Sequence, residues 1–233
     1  MDLPLTLSLL THFDTAALAF LLVAWYGIGW RIEHPSAKHP SVTVQMAGYR
    51  REWMRQFITR ENRIFDAQII GSLRQGTSFF ASTSIFALGG TLALIGNPTP
   101  LASVAGQLGQ TVAPALLWQL KLVAVVLFLT HAFLKFVWSH RVFGYCMVMM
   151  AAVPNDPKDP ASELRTKQAA ELNIRAAWNF NRGLRSMYFA LGTLAWLLGP
   201  APLVLATLAV LCLLWVREFS SVPHAVLSQE KME

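Results

Sequence analysis

Apolar positions along the chain gather into five runs, residues 13–30, 77–96, 114–138, 183–199 and 203–216, each read as a membrane span. A helix needs about 20 apolar residues to cross hydrocarbon, so the last two are short and are expected to lean on longer neighbours or to cross a locally thin region. Between the runs lie two stretches of a different pattern. In residues 44–73, Tyr49, Trp53 and Phe57 recur every four positions, with Met54, Ile58, Phe65, Ile69 and Leu73 extending the apolar side. Arg50, Arg51, Arg55, Arg60 and Arg63 supply the opposite side, the mark of one or two amphipathic helices. In residues 139–182 the third run continues without a breaker until Pro154, and a turn (NDPKDP) follows, with Asp159 as N-cap and Pro160 as first helical residue. The expected fold is an all-α integral membrane protein. It has about five transmembrane helices over one membrane domain, 1–233, with 44–73 and 139–182 as a cytoplasmic helical layer.

Composition sharpens this reading. A hydrophobic fraction of 54% with 14% charged residues is not that of a soluble domain. The net charge of +6 is segregated: of 19 Lys and Arg, eight lie between Arg31 and Arg74 and seven between Arg141 and Arg185, with Arg217 and Lys231 after the last run. Segments 1–12, 97–113 and 199–202 carry none, although Pro98, Pro100 and Gly106 mark 97–113 as a loop. The positive-inside rule then puts the amino terminus outside and the carboxyl terminus in the cytoplasm, and argues against nucleic acid as the partner of the basic residues. Without a basic n-region, the first run is expected to be retained as a span rather than cleaved as a signal peptide. Cys146 and Cys212 have no metal or redox spacing and are expected to be free thiols.

The third run carries Lys121, His131 and Lys135 where a span normally has no ionisable residue. At 100° per residue the three fall within an arc roughly 80° wide, so one face of that helix is polar. The lysines are expected to snorkel to the headgroups; His131, too deep for that, is a helix contact or a relay. His140 faces the other way. Asp14 is expected as a solvated helix-end residue, with a buried pairing to Lys121 as the alternative. In the second run, small residues form two faces that include Ser78, Ser82, Gly89 and Gly90, which suits a helix sandwiched between two others.

No phosphate-binding glycine loop, HExxH, paired-cysteine site or nucleophile elbow occurs, so neither an enzyme, a cofactor nor a metal site is expected. Several blocks do resemble a known group: ENRIFDAQIIGSLRQGTSFFASTSIFALGG (61–90), LKFVWSHRVFGY (134–145), WNFNRGLRSMYFALGTLAWLLGP and VREFSS. They are similar to multi-pass membrane proteins of bacteria and plants known only as the domain-of-unknown-function family 599. The resemblance implies an integral membrane protein, here of the bacterial inner membrane, and brings no activity or site residue. Its blocks contain Arg63, Asp66, Arg74, His140, Arg141, Asn179, Asn181, Arg182 and Arg185, which would converge if the helices bundle. That set is expected to be an ion-pair and amide network, or else a site for an anionic lipid or another anion. The leading functional expectation is a homo-oligomer with a channel or transport role lined by the polar face of the third helix. The alternative is a non-conducting accessory or scaffold subunit that docks another membrane protein through its cytoplasmic helices.

Overall fold

The computed structural model describes residues 10–100 and 114–229, and among them every regular element is helical. In chain order these are α1 (His12–Glu33), α2 (Val42–Phe57), α3 (Ile64–Gly96), α4 (Ala115–Ala151) and α5 (Pro160–Thr193). A 3-10 turn (Leu194–Leu198) follows, then α6 (Pro200–Trp215), a π-helical turn (Val216–Ser220) and α7 (Val222–Gln229). Most of the expected outer segments 1–12 and 97–113, with Gly106 and also Lys231, lie outside the described residues. Among the described residues α1, α3, α4 and the stretch Pro200–Ser228 are long and apolar enough to cross a membrane. The chain is thus an all-α membrane protein. Residues 183–199, expected as a fifth span, are the end of α5 plus the 3-10 turn, and α5 is not among the helices long and apolar enough to cross, since Asn179, Asn181, Arg182 and Arg185 interrupt even its second half.

The chain divides into two compact units. The first comprises Met1–Trp30, Thr83–Ala132 and Leu184–Trp215, and its only described charged residues are Asp14, Lys121 and Arg185. We call it the apolar unit. Its part of α1 buries Asp14, Ala17, Leu21, Ala24 and Ile28, a stripe spaced by three and four, while Phe13, Val23 and Tyr26 point outward. From α4 it buries Trp118, Leu122, Val125 and Phe128, and Phe128 stacks on Phe189 of α5 with ring centroids 6.1 Å apart. Gly199, at φ 124°, makes the reversal into α6 that a side chain would strain, and Pro200 opens the new helix.

The second, charged unit comprises Arg31–Ser82, Phe133–Gly183 and Val216–Glu233. Here the single amphipathic stretch resolves into α2 and the start of α3. Ser41 caps α2 by accepting from Val44 N, and Asn62 Oδ1 accepts from Ile64 N at 2.9 Å where α3 begins. The end of α4 is covered from within the unit: Val142, Phe143, Cys146 and Met150 pack with Met54 and Phe57 of α2, Ile70 of α3 and Ala169 of α5. Asp159 Oδ1 accepts from Ala161 N at 2.7 Å and starts α5 at Pro160. Gly183 lets α5 approach the buried Phe136 ring closely, since a Cβ there would lie 2.6 Å from it.

The second-run helix departs from the expectation of a sandwich. Only 6% of the apolar portion of α3 is buried in the chain. Thr77, Ser84 and Thr91 turn inward, seven residues apart, whereas Ser78, Ser82, Gly89 and Gly90 are exposed. Among the described residues Gly89 and Gly90 have nothing within 4 Å of an added Cβ, so that part of the small-residue surface is open.

Candidate functional site

The polar residues of α4 are engaged by side chains of the chain itself. Lys121 is buried, its ammonium 5.8 Å from the Trp118 ring centroid and 5.9 Å from that of Trp196, within electrostatic reach of Asp14. This corrects the snorkelling expectation for Lys121: the two indoles and a nearby carboxylate compensate the cation inside the protein. Asp14 is not a solvated end residue either. It is buried and accepts from Trp196 Nε1 at 2.8 Å and from Thr11 Oγ1 at 2.6 Å. A hydrogen bond of 2.7 Å joins His131 Nδ1 to Ser186 Oγ, and Trp25 both donates to that hydroxyl and stands edge-on to the imidazole at 5.2 Å. Lys135, in the charged unit, is half-buried within electrostatic range of Arg182 and Glu33.

The residues expected to form one network fall into separate local clusters instead. Asp66, fully buried in the first turn of α3, accepts from Arg60 Nη1 and Trp53 Nε1. Arg63 reaches the carbonyls of Val153 and Pro154 at 2.8 and 2.9 Å, capping the end of α4. Arg74 Nε donates to His140 Nε2 at 3.1 Å, which makes that nitrogen the acceptor and puts the imidazole proton on Nδ1, near the Arg74 carbonyl and Thr77 Oγ1. Arg141 lies against Tyr145, one turn on, and Asn179 donates to the Arg175 carbonyl of its own helix. Arg182 forms a two-pronged pair with Glu33, which holds its guanidinium above its ordinary pKa. Arg185 belongs to the apolar unit, where its guanidinium lies beside Gly29.

Of that set, Asn181 alone lines a partly polar groove of about 490 Å³ in the charged unit. Here sequence reasoning missed the decisive residues. Glu218, on the π-helical turn, accepts from Thr43 N and Thr43 Oγ1, both at 3.0 Å, at the start of α2. Its carboxylate satisfies a free N–H of that helix from 175 residues away in sequence, and a negative charge there suits the positive helix end. Arg50, two turns along the same face of α2, donates to Asn173 of α5, and burial pulls its guanidinium below the usual pKa. Arg217, Thr43, Trp178, Ser72 and Ser221 complete the polar part of the wall. The alternation of aromatic and cationic residues marked α2 as amphipathic, but nothing local to the sequence ties Glu218 to Thr43.

Among the described residues no three His, Cys, Asp or Glu side chains gather as a metal site would require. Neither a curated protein nor a solved structure matches this chain. A family model described as "Protein of unknown function, DUF599" matches residues 16–223, nearly the whole chain, and with its helical spans this makes the protein a member of the DUF599 family of membrane proteins.

Proposed function

We propose that the protein is a self-associating, non-conducting membrane scaffold whose charged unit faces the cytoplasm and meets its partners. One observation carries the reading. The ionisable residues of α4 that an aqueous path would need are taken up by the chain itself, Lys121 by Trp118 and Trp196, His131 by Trp25 and Ser186. An ionisable group in hydrocarbon costs a few kcal/mol or more, and these partners offset that cost within the protein. Self-association is supported by α3, whose small residues Ser78, Ser82, Gly89 and Gly90 are open to a second copy. The orientation follows the positive-inside rule: five crossings, counting residues 183–199, place the amino terminus outside and the carboxyl terminus in the cytoplasm of a bacterial inner membrane.

A channel or transport role of the homo-oligomer is the second reading. It is favoured by an apolar cavity of about 350 Å³ in the apolar unit, bordered by Leu18, Leu22, Trp25, Phe128 and His131, which sets a titratable ring beside open space. Light scattering of the protein in mild detergent, paired with flux assays in liposomes, separates the two. The scaffold reading expects more than one chain per particle and no flux; a conducting particle sends the assignment to the second reading.

A further inference from the structure

We propose that the groove of the charged unit binds the phosphate-bearing head of an anionic membrane lipid, with Arg50 as its principal contact. The inference rests on the charged unit lying at a membrane surface and not on self-association. Val42, Met46 and Arg50 occupy one face of α2 at intervals of four, so the groove wall runs from apolar to cationic along a single helix. Arg50 is half-buried, and its Nη1 donates to the amide oxygen of Asn173, which is fully buried. Among the described residues no carboxylate lies within ion-pair distance of Arg50. The nearest acid of the groove, Glu218, has both oxygens occupied by Thr43. A guanidinium has five N–H donors, and withdrawing its charge from water without a counter-charge is unfavourable. A bound anion supplies that counter-charge.

Three further features select the kind of anion. Arg217 also lines the groove, which thus carries two arginines and one carboxylate, a balance that favours phosphate over a neutral or cationic head. Met46, Leu73, Phe143 and Phe180 give the lining an apolar part, a surface for acyl or glycerol carbons that a bare inorganic ion would leave unused. Lastly, Arg217 and Glu218 are brought to the groove by the π-helical turn Val216–Ser220, and π turns inside long helices recur at functional sites. A volume of about 490 Å³ accommodates a lipid head and the start of its chains.

The test uses the full chain in detergent micelles, titrated with dioleoyl phosphatidylglycerol or dioleoyl phosphatidylcholine and read by native mass spectrometry. The expected result is retention of the anionic lipid over the zwitterionic one, with Arg50→Gln weakening it about tenfold or more. Arg51→Gln, which removes an equal charge from an exposed arginine paired with Glu171, is expected to leave retention unchanged. Gly76→Leu fills the groove without altering charge, and because a Cβ there meets nothing within 4 Å it decides the matter should Arg50→Gln not fold. Wild-type retention in both Arg50→Gln and Gly76→Leu, or an equal loss in Arg51→Gln, overturns the proposal. Complete displacement of the lipid by millimolar inorganic phosphate overturns the assignment to a lipid. The same spectra report subunit number, so a monomer that still holds the lipid refutes self-association alone, and an oligomer without lipid preference refutes this inference alone.

Discussion

Trp196 Nε1 donates to Asp14 Oδ1 at 2.8 Å, joining the first turn of α1 to the 3-10 turn 182 residues later. The second carboxylate oxygen takes Thr11 Oγ1 and Thr11 N, and Lys121 lies within electrostatic reach, over the same indole. Removing the charge should expose how far Lys121 depends on it. Asp14→Asn keeps the shape and some hydrogen bonds and is expected to cost about 1–2 kcal/mol. Asp14→Leu leaves a buried cation uncompensated and is expected to cost about 3–5 kcal/mol, of which Lys121→Met in the same chain restores a part. Thermal unfolding in one detergent of wild type, Asp14→Leu, Lys121→Met and the double variant forms the cycle, with Asp14→Asn measured beside it; equal effects of the two Asp14 variants would exclude a coupling to Lys121.

Asp66 offers the corresponding test in the charged unit. Its side chain is fully buried while Arg60 remains 37% exposed, so Arg60→Gln is expected to destabilise by about 2 kcal/mol, less than a wholly buried pair. The Arg51–Glu171 pair, more than half exposed on both sides, is expected to contribute within about 0.5 kcal/mol. Chemical denaturation of Arg60→Gln and Glu171→Gln should therefore rank them clearly, and a reversed order would contradict the burial argument.

Gly183 is a position where one methyl group matters. A Cβ there would sit 2.6 Å from the Phe136 ring, which is itself held between Phe80 and Phe180 at centroid distances of 5.5 Å. Gly183→Ala should cost about 1–3 kcal/mol despite its better helix propensity. Gly183→Ala with Phe136→Leu should recover much of the loss; no destabilisation by the single change would mean that α5 and α4 are less closely packed than described.

Gly90 makes the opposite prediction. A Cβ there meets nothing within 4 Å among the described residues, so Gly90→Leu should leave the melting temperature of the monomer unchanged or raised while shifting detergent-solubilised protein toward single chains. Light scattering checks this directly, and an unaltered oligomer would remove α3 from the subunit contact.

These relationships differ in how far the sequence announces them. Helix identities were legible because their signals are local: Asp159 caps the helix it precedes, and the run from Ala115 continues to Ala151 because Pro154 is the first breaker after it, whereas the Ser41 cap of α2 emerged only from the structure. The apolar continuation of that run needs a cover, and Phe143, Cys146 and Met150 find one within the charged unit. Partners were not legible. The charges of Glu33, Glu218 and Asp14 are satisfied by Arg182, Thr43 and Trp196, each more than 140 residues away, and no periodicity encodes such a pairing. Lys121 was misread for the same reason: a lysine near a helix end can reach water or a partner, and only the indoles of Trp118 and Trp196 decide which.

The account turns on α4 being sealed by its own chain, and the most direct measurement is ion and proton flux through purified protein in liposomes, with both orientations present and pH varied. The predicted result is no flux above that of protein-free vesicles, in wild type and His131→Gln alike. Flux that His131→Gln abolishes, in a protein that still folds and assembles, would contradict it.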